Sequence, residues 1–175
     1  LPSQLFEHWT SEPEVLRRHA RHVDTGVPIP DALIERLKRA RRFGQAFETV
    51  RYTASALTDM AVHSLPCGHT PADPVAFEAQ VLAERGLPPG VGINHRFPHF
   101  QHLFYGSAYA AGYYVYLWAE VLDADAFEAF VEAGNPFDPQ VAERLRRHVY
   151  AAGDSVEPTA TYAAFRGRAA RIEPM

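Results

Sequence analysis

The feature that most constrains the fold is the stretch of residues 100–122, in which Glu120 is the only charged side chain. The stretch nevertheless contains five tyrosines. Residues three, four and seven positions apart share one face of a helix. The side chains that this spacing places on one side are His102, Tyr109, Tyr113 and Tyr116. Apolar residues occupy the other sides, so the pattern predicts a central helix that is buried nearly all round.

A span of this length also fits a transmembrane helix, which is the competing interpretation. The five tyrosine hydroxyls, together with Gln101 and His102, make a poor hydrocarbon-facing helix. Nothing else in the chain suggests a membrane. We therefore predict the central helix of a soluble domain, with no membrane partner.

The tyrosine stripe has two interpretations. A buried tyrosine normally finds a hydrogen-bond partner, because an unsatisfied hydroxyl costs about 1–3 kcal/mol. The tyrosines are therefore either core aromatics bonded to backbone carbonyls or a stripe that faces a ligand. The spacing alone leaves both open.

Composition limits the classes of partner. Hydrophobic residues make up 47% of the chain and charged residues 22%, which is ordinary for a globular protein. The net charge of −4 provides no basic surface for nucleic acid, so no nucleic-acid partner is expected. Cys67 is the only cysteine, so no disulfide can form within the chain and a reducing, cytoplasmic location is expected.

Local signals predict a series of helices. Asp73 and Asp138 each precede a proline, the arrangement of an N-cap followed by the first helical residue. Gly44 interrupts a helical apolar pattern over residues 33–61 and indicates a kink or a junction of two helices. The basic cluster around Arg42, which spans residues 39–42, is expected to face solvent.

Two further acids, Asp123 and Asp125, resemble helix caps for a segment over residues 126–132. No stretch shows the sustained alternation of a β-strand, and no linker divides the chain. The prediction is an all-α protein, a single compact multi-helix domain over residues 1–175.

The literal sequence adds a resemblance. The run AGYYVYLW at 111–118, with His102 and Tyr109 ahead of it, resembles the substrate-binding helix of the thimet oligopeptidase family of zinc oligopeptidases. The oligopeptidase A and peptidyl-dipeptidase branch is the most similar. The likeness begins with LPSQ at 1–4, includes FGQAF at 43–47 and ends with AFRGR at 164–168.

The resemblance implies a fold, an activity and site residues. The chain is expected to be the C-terminal portion of a zincin-like helical oligopeptidase that hydrolyses short peptides. Tyr113 and Tyr116 match the family's catalytic positions, where a phenol O–H stabilises the tetrahedral intermediate. His102 and Tyr109 match positions that bind the substrate.

The family's zinc-binding motif, H-E-x-x-H, occurs at none of the nine histidines. Zinc is therefore expected in the intact enzyme, with none in this chain. The expected partners are short peptide substrates and the remainder of the peptidase chain, an N-terminal part that carries the motif. The isolated chain is expected to be inactive.

Alternatives remain at this point. One is a non-catalytic helical module that binds peptides or another subunit, and another is a split enzyme whose second chain carries the zinc motif. His95, His99 and His102 have the spacing of a metal cluster, but Pro98 interrupts any continuous helix through them and no acid lies nearby. We therefore expect no metal there.

Overall fold

The computed structural model describes residues 1–41 and 43–175, so that Arg42 of the predicted basic cluster lies outside the described residues. Within the described part of the chain, the regular secondary structure is helical, and the only β-type pairing is an isolated bridge between Arg21 and Pro28. The all-α prediction is therefore confirmed.

The helices are joined by loops of varied length. In chain order they are α1 Pro2–Trp9, α2 Pro13–His19, α3 Asp31–Ala40, α4 Gln45–His63, α5 Pro74–Glu84, α6 Gln101–Phe104, α7 Val115–Glu132, α8 Pro139–Leu145 and α9 Pro158–Arg166. Short 3₁₀ turns occupy Phe97–His99 and Ser107–Tyr109, and a π-helical turn at Arg146–Tyr150 continues α8.

The local start signals work as predicted. The Asp73 carboxylate accepts hydrogen bonds from the backbone N–H groups of Val75 and Ala76 at 2.9 and 3.0 Å. Asp138 caps α8 in the same way. Gly44 has a positive φ of 77° at the start of α4, a conformation that favours glycine, so it marks a junction between two helices.

The helices form two compact units. The first comprises Leu1–Ala40 together with Trp118–Met175, and the second comprises Arg41–Leu117. The core of the first unit is built from α1, α7, α8 and α9. Its buried residues are Leu5, Ala126, Ala129, Phe130, Val141, Leu145, Tyr162 and Phe165. The smaller core of the second unit contains Phe100, Leu103 and Tyr113.

The prediction that Asp123 and Asp125 are helix caps is wrong. α7 runs without interruption from Val115 to Glu132, and both carboxylates are buried in its interior. Asp123 is paired with Nε2 of His8 at 2.7 Å. Asp residues favour caps because they bond to nearby backbone, but here the partners are side chains far away in the sequence, which no local pattern indicates.

Asp125 is the centre of the ionic network in the first unit. Its carboxylate accepts hydrogen bonds from the Tyr162 hydroxyl at 2.7 Å and from Arg166 Nε at 3.2 Å, and it pairs with Arg168 Nη2 at 2.7 Å. Arg166 also donates two hydrogen bonds to Glu132, at 2.8 and 3.0 Å. The buried carboxylate is therefore compensated by two guanidinium groups, and the network connects α7 to α9.

This network affects the pKa of Asp125. Burial raises the pKa, but the hydrogen bonds from Arg168, Tyr162 and Arg166 together outweigh it and lower the pKa below its ordinary value. A lowered folded-state pKa stabilises the protein above the unfolded-state pKa of about 4, and this stabilisation is lost as the pH falls through the folded-state value.

Asp125→Asn should therefore destabilise the chain by about 1.5–3 kcal/mol at pH 7, because Arg166 keeps its bonds to Glu132 but loses the charged acceptor at Asp125. Urea denaturation at several pH values measures this. The difference in free energy of unfolding between wild type and variant should narrow as the pH falls below about 4, since protonation of Asp125 then removes the same charge. The exposed Glu143, paired with Arg146 one helical turn away, provides the control: Glu143→Gln should barely move the midpoint. Equal midpoints for Asp125→Asn and wild type would contradict the prediction.

Candidate functional site

The tyrosine-rich stretch does not form one helix, so the predicted continuous central helix is wrong. α6 ends at Phe104 and α7 begins at Val115. Between them Gly106 is extended, with φ −178° and ψ −176°, and Ala111 adopts a positive φ of 56°. Glycine is a poor helix former, and a left-handed residue cannot continue a right-handed helix. We call residues 105–114 the tyrosine turn.

The prediction that the stretch is buried nearly all round is also wrong. Tyr105 is 87% exposed, Trp118 65% and Tyr114 51%. None of the described helices has the length and apolar character needed to cross a membrane.

The tyrosine turn nevertheless brings the four candidate side chains together. The Tyr116 hydroxyl donates a hydrogen bond to the Tyr109 oxygen at 3.0 Å, and Nε2 of His102 lies 3.1 Å from the Tyr116 oxygen. The Tyr113 and Tyr116 rings pack edge to face with centroids 5.4 Å apart. We call His102, Tyr109, Tyr113 and Tyr116 the His–Tyr cluster. Its members meet through a folded turn, and their functional roles remain predictions.

Burial differs within the His–Tyr cluster. Tyr113 is only 9% exposed and packs edge to face against Phe100, with centroids 4.7 Å apart. His102 is exposed, whereas Tyr109 and Tyr116 are partly buried. The ring of Tyr113 therefore packs in the core of the second unit, and the other three side chains are more accessible to solvent.

Two phenols of the cluster, Tyr113 and Tyr116, have raised pKa values. The hydrogen bond to Tyr109, together with burial, raises the pKa of Tyr116 to about 12. Burial raises the pKa of Tyr113. Both groups are therefore neutral O–H donors throughout the physiological pH range, and a neutral phenol can donate to an oxygen that gains negative charge.

Sequence reasoning missed the residues of α4 that hold the tyrosine turn. The Asp59 carboxylate is 1% exposed and accepts hydrogen bonds from the backbone N–H groups of Ala111 at 3.0 Å and Tyr113 at 2.8 Å. Nδ1 of His63 donates to the same carboxylate at 2.7 Å. The Tyr52 hydroxyl donates to the backbone carbonyl of Tyr113.

These bonds explain the backbone of the turn. A left-handed conformation at a residue other than glycine costs about 1–2 kcal/mol, whereas each hydrogen bond to a charged group contributes about 1.5–3 kcal/mol. The two amide bonds to Asp59 thus outweigh the strain at Ala111. The one available signal was an acid within the apolar periodic pattern of α4, between Leu57 and Ala61.

The described residues include no group of three or more His, Cys, Asp or Glu side chains that could hold a metal ion. Two of the three histidines with metal-like spacing contact aromatic side chains: the His95 ring packs against Phe100 with centroids 5.1 Å apart, and His102 contacts Tyr109 and Tyr116.

The sequence pattern that defines Peptidase family M3 matches residues 1–175 of this chain. The chain belongs to Peptidase family M3. This confirms the resemblance to thimet oligopeptidase-like enzymes.

Several known proteins are similar to this chain over its whole length. The chain is 39% identical to the dipeptidyl carboxypeptidase of Salmonella typhimurium, over 99% of this chain and 25% of that protein. It is 35% identical to oligopeptidase A of Escherichia coli, over 100% of this chain and 25% of that protein. The chain thus spans about a quarter of the length of these relatives.

The hydrogen bond between Tyr109 and Tyr116 can be tested by titration. Tyr109→Phe removes the acceptor that most favours the neutral Tyr116 phenol, so the pKa of Tyr116 should fall from about 12. The ¹³Cζ signal of labelled tyrosine reports ionisation, and Tyr116→Phe identifies which signal belongs to Tyr116. At pH 11 the Tyr116 signal should be mostly that of the phenol in wild type and should shift further toward phenolate in Tyr109→Phe. An unchanged titration would contradict this assignment.

Proposed function

We propose that this chain is part of a zinc-dependent oligopeptidase or peptidyl-dipeptidase that hydrolyses short peptides, and that it supplies hydrogen-bond donors to the reacting peptide. Membership in Peptidase family M3 supports the peptidase class. The observation that carries the residue roles is the accessible chain of polar groups from His102 through Tyr116 to Tyr109, with contacts of 3.1 and 3.0 Å.

The proposed chemical role follows from charge. When a nucleophile attacks a peptide carbonyl, negative charge builds on the carbonyl oxygen, and O–H groups aimed at that oxygen stabilise it. Tyr116 and Tyr113 are the proposed donors. The raised pKa values of both phenols keep the protons in place while the charge develops.

Tyr116 can serve a substrate without moving its ring. Its O–H group now points to Tyr109, and rotation about the Cζ–O bond presents the hydrogen to another acceptor. His102 and Tyr109 are proposed to bind the peptide backbone, because the exposed imidazole and the part-buried phenol offer both donors and acceptors.

The residues in hand do not fit a zinc site, because the described part of the chain holds no suitable ligand group. The proposal places the zinc ligands in another part of the peptidase, an N-terminal part that is the proposed partner of this chain. The relatives, of which this chain covers about a quarter, are long enough to contain it. A cytoplasmic location is proposed because the single cysteine cannot form a disulfide within the chain.

Tyr116→Phe in the full-length enzyme should lower kcat by about 10²–10³-fold, the usual loss on removing one oxyanion donor. KM for a short peptide should change little, because the donor acts on charge that appears only in the transition state. Tyr114→Phe is the matched control: Tyr114 is half-exposed, and its variant should retain kcat within about twofold. Near-normal kcat in Tyr116→Phe would remove this residue from the proposed role.

The purified 175-residue chain should not hydrolyse a fluorogenic oligopeptide on its own, with or without added zinc. A full-length enzyme assayed in parallel provides the positive control. Cleavage by the isolated chain that a chelator abolishes would show that it holds its own catalytic metal. Tight peptide binding without cleavage, in the absence of any other part of the enzyme, would instead favour the non-catalytic binding module.

A further inference from the structure

We propose that Asp59 and His63 of α4 are positioning residues for the reaction: they hold the tyrosine turn so that Tyr113 and Tyr116 lie where the substrate carbonyl needs them. This inference rests on the proposed function, because it assigns these residues a role in placing the proposed donors. Neither residue belongs to the His–Tyr cluster itself.

The first observation is that α4 holds the Tyr113 backbone from both sides. Asp59 accepts a hydrogen bond from the Tyr113 N–H at 2.8 Å, and the Tyr52 hydroxyl donates to the Tyr113 carbonyl. Asp59 also accepts from the Ala111 N–H at 3.0 Å, at the residue with positive φ. α7 begins at Val115, directly after this turn. The position of the first turn of α7, which carries Tyr116, therefore depends on these bonds.

The second observation is that His63 extends the same contact towards α6. Its Nδ1–H donates to Asp59 Oδ1 at 2.7 Å, so this oxygen accepts from both His63 and Ala111. The His63 ring also packs on Phe104 of α6 with centroids 5.8 Å apart. Because α6 also carries His102, the Asp59–His63 pair contacts the segments that bear both ends of the His–Tyr cluster.

Asp59→Asn removes one hydrogen-bond acceptor from this site without changing the size of the side chain. All three partners of its carboxylate are N–H donors, and a carboxylate can accept from all of them. In asparagine one of the two oxygens becomes an NH₂ group, which cannot accept. At least one donor must then turn away, while the size of the side chain stays the same.

The central experiment is a double-mutant cycle in the full-length enzyme, with Asp59→Asn, Tyr116→Phe and the double variant. Asp59→Asn alone should lower kcat at least about tenfold with a much smaller change in KM, because misplaced donors weaken transition-state stabilisation. In the Tyr116→Phe background the same substitution should lower kcat by a clearly smaller factor than in wild type, since one of the two donors that Asp59 positions is already gone. Glu48→Gln, an exposed acid on the same helix, should leave kcat unchanged.

The outcomes separate the two proposals. If Tyr116→Phe lowers kcat as expected but Asp59→Asn does not, the positioning inference fails and the proposed function stands. The inference also fails if Asp59→Asn lowers kcat equally in both backgrounds, because Asp59 then acts independently of Tyr116. If Tyr116→Phe retains near-normal kcat, the proposed role of Tyr116 fails and the positioning inference fails with it.

If Asp59→Asn does not fold, substitutions of His63 test the same inference. His63→Ala removes the N–H donor to Asp59, whereas His63→Asn places an amide N–H near the position of Nδ1. His63→Ala should lower kcat, and His63→Asn should restore most of it. Equal kcat values for His63→Ala and wild type, with both proteins folded, would overturn the inference.

Discussion

The path of the chain through the candidate site depends on one buried carboxylate. Asp59 is almost fully excluded from solvent, and burial of a charge is costly unless the charge is paired or hydrogen-bonded. Its N–H donors come from the tyrosine turn and from His63. A helix through Ala111 and Tyr113 would direct these amides along its own axis. The turn therefore provides the amides that the buried acid requires, and the acid compensates the left-handed backbone of Ala111.

The first unit uses the same principle with different partners. Asp125 lies within α7 and is compensated by guanidinium groups and a phenol from the C-terminal region. Backbone amides cannot leave their positions without unfolding the local chain, whereas arginine side chains can reorient. The two acids thus have different consequences: Asp59 determines a backbone conformation, and Asp125 joins one helix to another.

How much the sequence predicts depends on the range of the interaction. The starts of α5 and α8 were predicted correctly because Asp73 and Asp138 bond to amides two and three residues away. The break in the predicted central helix was not foreseen, because the backbone amides that bond to Asp59 lie 52 and 54 residues away from it in the sequence. Asp125 was mistaken for a cap for the same reason, since its Arg166 partner is 41 positions away. The residues of the His–Tyr cluster could be named from spacing and resemblance, but the left-handed backbone at Ala111 and the Asp59 contact that holds it could not.

The hydrogen bond between Tyr116 and Tyr109 has a consequence for the affinity of a ligand that would bind to Tyr116. The Tyr116 proton already has an acceptor, so an arriving carbonyl exchanges one neutral hydrogen bond for another and gains little affinity from it. The balance changes only when the new acceptor becomes anionic, because a charged oxygen binds the proton more strongly than a neutral phenol does. In the proposed role of Tyr116, an internal acceptor of this kind would make the site discriminate between an uncharged ligand and one that is acquiring charge.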